Sequence, residues 1–230
     1  MSDLKYNRLQ RTEKLIGAAN LSKLVNSSVL VVGLGGVGGC AFEMLVRAGV
    51  GKLTVVDCDT FDETNLNRQI LCTVLNIGRA KTEAAVLRAA EIAPDCRVEQ
   101  KFMRYSNETA EQIFCERYDY VADCIDSVAD KTDLIVRAVQ SGIPVISAMG
   151  SGNRLAPRFE VKDVFKTSGD GLARVMRKKL REAGIKSLKT VCDAGLPIVA
   201  DGVPGTVSYA PNAAGCLMAQ QIVTDIIWKE

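Results

Sequence analysis

The chain has 230 residues, 47% of them apolar and 24% charged, and a net charge of +2. These values suit a globular protein with an ordinary core and exclude a polycation, so any nucleic-acid contact must come from a local patch. No apolar run approaches the roughly 18 to 20 residues that span a bilayer, and the opening "MSDLKYNRLQRTEKL" is too polar for a signal peptide, so a cytoplasmic protein with no membrane partner is expected.

In chain order, "SVLVVG" (28–33) is a β-branched run that predicts the first strand and ends at Gly33. Val37, Ala41, Leu45 and Ala48 recur at helical spacing and predict a helix closed by Gly49. "KLTVVD" (52–57) is the second strand, and "AKTEAAVLRAAEIAP" (80–94) a helix stopped at Pro94. "RVEQKF" (97–102) reads as a weaker strand, "TAEQIFCER" (109–117) as a short helix and "YDYVADCID" (118–126) as a buried strand ending in acids. "KTDLIVRAVQSG" (131–142) is helix and "IPVISAMG" (143–150) strand. This alternation predicts an α/β, Rossmann-like fold, with a mostly parallel sheet covered by helices on both faces. A further strand and turn (158–167), a basic helix (171–183), a Gly/Pro-punctuated stretch (193–205) and a last apolar helix (211–228) form an added C-terminal region. No repeat and no long linker divides the chain, so residues 1–230 are read as one domain.

Eight cysteines are scattered with no C-x-x-C pair, and histidine is absent. That argues against a structural zinc site and for reduced, mostly buried thiols. Cys192, in "KTVCDAG", lies in a lysine-flanked polar segment that could lower its pKa, although an incidental thiol is the expectation.

Gly33, Gly35 and Gly38 form G-x-G-x-x-G between a strand and a helix, where the backbone can turn tightly and free amides can meet phosphates. Asp57 ends the second strand, where an acid commonly binds ribose hydroxyls. These features leave NAD(H) and another nucleotide equally open. The next segments favour a triphosphate: Asn65, Asn67, Arg68 and Gln69 follow the acid, and Lys81 opens a helix. An added arginine and lysine suit a leaving pyrophosphate whose charge must be neutralised. Asp126, at a strand end, could hold magnesium facing the same crevice.

"GLGGVGG", "DCDTFDETNLNRQ", "GRAKTE" and "DCIDS", in that order and spacing, resemble the ubiquitin-activating-type adenylating fold, which includes the bacterial enzymes that activate ThiS-like and MoaD-like sulfur carriers. The resemblance implies ATP and Mg2+. Gly36 would face the nucleotide and Asp57 hold the ribose, Asn67 and Arg68 would contact the phosphates beside Gln69, Lys81 would bind the α and β phosphates, and Asp126 the magnesium. Arg8, in "YNRLQ", resembles an arginine that members send across a homodimer interface into the partner's site, with Arg11 the nearby alternative.

The stretch 146–185, with "GTVSYAPNAAG" (205–215), resembles the tRNA threonylcarbamoyladenosine dehydratases. That resemblance implies adenylation of the threonyl carboxylate of a modified adenosine in the tRNA anticodon loop, then attack from within the same nucleoside with net loss of water. Neither a general base nor an enzyme thiol is needed. The alternative is adenylation of the C-terminus of a ubiquitin-like sulfur carrier; an NAD-dependent oxidoreductase and a non-catalytic nucleotide-binding scaffold are rivals of other classes. Expected partners are tRNA and a second copy of the chain, with a sulfur-transfer protein as a further candidate. Within 171–183, Leu172, Val175, Met176, Leu180 and Ala183 form one helical stripe, and Arg174, Arg177, Lys178 and Arg181 fall on the other side as the expected tRNA face.

Overall fold

The β-branched runs become strands whose side chains alternate between two apolar layers, as the two-residue period of a strand requires. In β1 (Ser28–Val32), Val29 and Val31 join one buried cluster and Leu30 and Val32 the other. The structure, a computed structural model, describes residues 2–198 and 204–228. Positions 199–203 of the predicted Gly/Pro-punctuated stretch lie outside the described residues.

The remaining strands are β2 (Lys52–Asp57), β3 (Arg97–Phe102), β4 (Tyr120–Asp123), β5 (Val145–Ala148), β6 (Phe159–Asp163) and β7 (Lys189–Asp193). The described residues form a seven-stranded sheet in the order β3-β2-β1-β4-β5-β7-β6. All pairings are parallel except β6 against β7. The order reverses at β1, whose neighbours are β2 and β4, and a doubly wound sheet opens a crevice at such a switch point.

The helices are α1 (Ser2–Ile16), α2 (Ala18–Val25), α3 (Gly36–Ala48), α4 (Lys81–Ile92), α5 (Ala110–Ile113), α6 (Val128–Gln140), α7 (Gly171–Glu182) and α8 (Tyr209–Ile227). Phe42 and Leu45 of α3, Ala85 of α4 and Met218 of α8 cover one sheet face. Ile113 of α5, Leu134 of α6, and Met176 and Leu180 of α7 cover the other. Each fully buried aliphatic or aromatic side chain here contributes about 1.5–3 kcal/mol of burial free energy. Among the described residues no helix is long and apolar enough to cross a membrane.

The structure departs from the sequence reading at four places. Residues 2–25, given no element by periodicity, form α1 and α2, broken at Gly17 with φ 82°. The helix predicted over 109–117 shrinks to α5, four residues long. β7 falls where no strand was predicted: Thr190, Val191, Cys192 and Asp193 are all buried, which erases the polar alternation that marks a half-exposed strand. In α7 the buried stripe is Ala173, Met176 and Leu180, and Val175 is 40% exposed.

Candidate active site

β1 and β4 leave the sheet side by side, and their following loops line a cleft of about 1220 Å3. Gly33 turns there with φ 91°, and a Cβ on it would stand 2.6 Å from the Cys124 carbonyl oxygen. A Cβ on Gly38 would stand 1.8 Å from the Gly33 carbonyl oxygen, so only glycine lets α3 start this close to β1. Gly35 is the N-cap of α3 and Gly36 its first residue. No side chain caps that end and no acid sits in its first turn, which leaves backbone amides and the positive end of the helix dipole for an anion.

Asp57, at the end of β2, braces this loop. Its Oδ2 accepts from Leu34 N at 2.6 Å and its Oδ1 from Asp59 N at 2.8 Å. Beyond it, a short turn opens at Asp62, whose carboxylate accepts from Thr64 N, with Asn65 completing a capping box. That turn carries Arg68 and Gln69 into the cleft wall. Arg68 Nη1 donates to Thr64 O at 2.7 Å and to Asn67 Oδ1 at 3.1 Å. Gln69 is buried, and its Oε1 has no hydrogen-bond partner among the described residues.

Lys81 opens α4 and is buried, its Nζ 2.8 Å from Asp59 Oδ2. The hydrogen bond from Lys81 holds the Asp59 carboxyl below its ordinary range. Lys81 therefore waits at the cleft as a cation on an exposed, exchangeable partner. Opposite stands Asp126, which lines the cleft and has no hydrogen bond or ion pair within the described residues. The turn presenting it is braced below by Asp123, whose Oδ1 accepts from Ile125 N at 3.1 Å. The other oxygen of Asp123 accepts from Lys131 Nζ at 2.7 Å and Ser147 Oγ at 2.6 Å, in a fully buried set.

Two sets of donors at the cleft could meet a divalent cation. Asp57, Cys58 and Asp59 bring ligand atoms within 4.8 Å of one another. Both carboxylates are held in place by hydrogen bonds from amides or Lys81, and burial, with the two acids, pushes the Cys58 thiol up. A protonated thiol is a poor ligand for a hard cation. Asp126 fits better, because magnesium is commonly held by one or two carboxylates together with substrate phosphates.

Gly33, Gly35, Gly36, Gly38, Asp57, Arg68, Gln69, Lys81 and Asp126 thus line one cleft. Asn67 stands outside that lining, its Nδ2 donating to Thr206 O at 3.2 Å. Arg8 is held within its own chain, with Nη2 3.0 Å from Asp95 Oδ2 and Nη1 3.4 Å from Val46 O. Arg11 is exposed and makes no hydrogen bond or ion pair among the described residues. Cys192 fits the expectation of an incidental thiol: it is 1% exposed in β7, and burial pushes its thiol up rather than the flanking lysines lowering it. Sequence reasoning missed Asp59, for which the second acid of "DCD" was the available signal, and the whole wall from Gly150 to Arg154 with Asp170.

A model of the ThiF family matches residues 6–227. The tRNA threonylcarbamoyladenosine dehydratase of Bacillus subtilis (strain 168) is 36% identical over 241 residues, covering 96% of this chain and 95% of that protein. The crystal structure of E. coli tRNA N6-threonylcarbamoyladenosine dehydratase in complex with ATP superposes with a TM-score of 0.92 at 29% identity, covering 97% of this chain and 95% of that one. The adenylyltransferase and sulfurtransferase UBA4 of Meyerozyma guilliermondii is 38% identical over 68% of this chain but only 36% of its own length.

Proposed function

This chain belongs to the ThiF family, and from that premise we propose that it is a tRNA threonylcarbamoyladenosine dehydratase, acting through an ATP-derived acyl-adenylate of the threonyl carboxylate. The observation that carries the reading is the convergence of Arg68 and Lys81 on the uncapped N-terminus of α3 in one cleft. That much positive potential suits a triphosphate that loses pyrophosphate and exceeds what two bridging phosphates of a dinucleotide require. The E. coli relative was crystallised with ATP, which supports the same choice.

The carboxylate oxygen attacks the α-phosphorus, the bond to the bridging oxygen breaks, and pyrophosphate departs. A carboxylate is already a nucleophile, so the chain needs no base and mainly positions and neutralises. The α3 amides and Arg68 face the phosphates, Lys81 shifts from Asp59 to the developing charge, and Asp57 keeps lone pairs for the ribose. Gln69 lines the cleft beside them. Asp126 would hold Mg2+, which would supply further charge neutralisation. The adenylated carboxyl is then attacked from within the nucleoside, which closes the ring and releases AMP.

The substrate tRNA meets the exposed side of α7, whose N-terminal residues line the cleft. The protein acts as a single domain over 1–230, as a cytoplasmic homodimer. Exposed Leu66, Ile70, Val74, Leu75 and Ile77, next to Arg68, support the homodimer, with Leu75 92% exposed. The proposed cross-subunit arginine is Arg8, which pairs with Asp95 within one chain, and Arg11, exposed on the same helix α1, is the nearby alternative. Docking of a sulfur-transfer protein rests only on the partial likeness to UBA4.

The test is mass analysis of nucleosides from tRNA incubated with the protein and ATP. Loss of one water from threonylcarbamoyladenosine is expected. Arg68→Ala and Lys81→Ala should each slow it by on the order of a hundredfold or more, with melting unchanged. ATP–pyrophosphate exchange stimulated by a sulfur carrier, with tRNA untouched, would hand the site to the alternative.

A further inference from the structure

The nucleotide-binding residues occupy one half of the cleft, and the other half is built by segments that share none of their hydrogen bonds. At about 1220 Å3 the cleft exceeds the roughly 300–1,000 Å3 that holds one drug-sized ligand, which leaves room for a second reactant beside ATP. That half is formed by the loop from Gly150 to Arg154 and the start of α7.

At its centre Arg154 is 6% exposed between two acids that are themselves buried, Asp170 at 5% and Asp193 at 3%. Its Nη1 lies 3.1 Å from Asp193 Oδ2 and its Nη2 3.6 Å from Asp170 Oδ2. Nη1 also donates to the Gly195 carbonyl. Each acid in turn grips backbone. Asp170 accepts from Gly150 N at 3.1 Å and caps α7 by accepting from Ala173 N at 2.7 Å. Asp193 accepts from Gly195 N at 2.9 Å and Arg158 N at 3.3 Å. One guanidinium therefore ties together the loop after β5, the N-terminus of α7 and the end of β7.

This arrangement is an odd choice for stability alone. Three buried charges carry a net −1, and Arg154 Nε is buried without a partner among the described residues. Buried ion networks are often no more stabilising than apolar residues of the same shape, and their best-attested use is to fix one geometry. The planar fork of arginine can bridge two carboxylates on different segments, which the single ammonium of lysine cannot do.

We infer that Arg154 is a positioning residue for the second reactant: by bridging Asp170 and Asp193 it holds the wall against which the tRNA nucleoside is presented to ATP. The inference rests on the proposed reaction. It separates the two substrates, because among the described residues none of Asp57, Arg68, Gln69, Lys81 and Asp126 hydrogen-bonds to this cluster.

The experiment measures KM for ATP and for tRNA separately in Arg154→Lys, with melting temperature as a folding control. KM for tRNA should rise about tenfold or more, as misplacement of a reactant by a fraction of an ångström predicts, while KM for ATP stays within about twofold of wild type. A merely structural role would move both constants or only the melting temperature. Either of those outcomes, or an unchanged tRNA KM, overturns the inference. If Arg154→Lys does not fold, Asp170→Asn decides, since asparagine keeps the helix cap but loses the charge that Arg154 bridges; the same split is expected and its absence is equally fatal. A wild-type protein inert towards tRNA would instead overturn the functional reading. A fully active wild type with an unaltered Arg154→Lys variant overturns this inference alone.

Discussion

Glu43 lies on α3, one turn beyond the glycine loop, and is 3% exposed. Burial pushes its carboxyl up, but hydrogen bonds from Arg88 and Arg47 outweigh that and hold it below its ordinary range. Arg88 Nε reaches Glu43 Oε2 at 2.9 Å from α4, so one carboxylate joins the two helices that carry the glycine loop and Lys81. The unfolded chain binds this proton more readily than the folded one. The stabilisation is therefore complete above the unfolded value of about 4.3 and is lost as pH falls through the lower folded value. Glu43→Gln should cost about 1–3 kcal/mol near neutrality, and the gap from wild type should close below about pH 4. Denaturant unfolding across pH checks this; a gap that widens in acid would show that Glu43 titrates the other way. Cys192 shows what flanking residues leave open: its neighbouring lysines could have lowered a thiol pKa, but the side chain lies buried in the apolar cluster on one sheet face, as an incidental thiol does.

α7 shows how an element divides its charges once it is docked. Arg177 turns inward, its Nη1 donating to Thr167 O at 3.0 Å and Thr167 Oγ1 at 2.6 Å. Arg181 lies over the Phe165 ring, 5.2 Å from its centroid. Arg174 and Lys178 stay exposed, and Lys178 is only 4.0 Å from Glu182 in a weak surface pair. Of the four basic residues assigned to tRNA from the sequence, Arg174 and Lys178 are thus the better phosphate contacts. Arg174→Ala with Lys178→Ala should flatten the log–log salt dependence of tRNA binding by roughly 1.5 to 2 units, without changing which bases are preferred. Affinity measured against salt is the check, and an unaltered slope would make this face an ordinary solvated surface.

At the scale of the molecule, the proposed homodimer completes each site with Arg8 of the neighbouring copy. Arg8→Ala and Asp126→Ala proteins, each inactive alone, should recover activity when mixed and allowed to exchange. Equal mixing makes half the dimers hybrid with one intact site apiece, so recovery of about a quarter of wild-type turnover is expected. An Arg8→Ala protein that is active by itself, with inactivity and recovery found for Arg11→Ala instead, would move the role to Arg11. Sedimentation as a monomer under assay conditions would remove it from both. Exposed Leu66, Ile70, Val74, Leu75 and Ile77 share a segment with Arg68, so the proposed assembly and the proposed phosphate contact would meet on one loop.

The sequence by itself determined the strands β1 and β2, the helix α4 and the glycine turn, because each depends on short-range backbone chemistry: β-branched runs, helical spacing, and positions where a Cβ would collide. Motif order then brought Asp57, Arg68, Lys81 and Asp126 to one end of the sheet, since parallel strands place their following loops together. Only the tertiary structure decided which partners those side chains take. Arg8 is spent on Asp95, 87 positions away, and Asn67 on Thr206, 139 positions away. Lys81 is parked on Asp59, and Arg154 spans two buried acids on separate segments. Such pairings depend on how distant segments dock and on what burial excludes from water, and neither is written in any local run of residues.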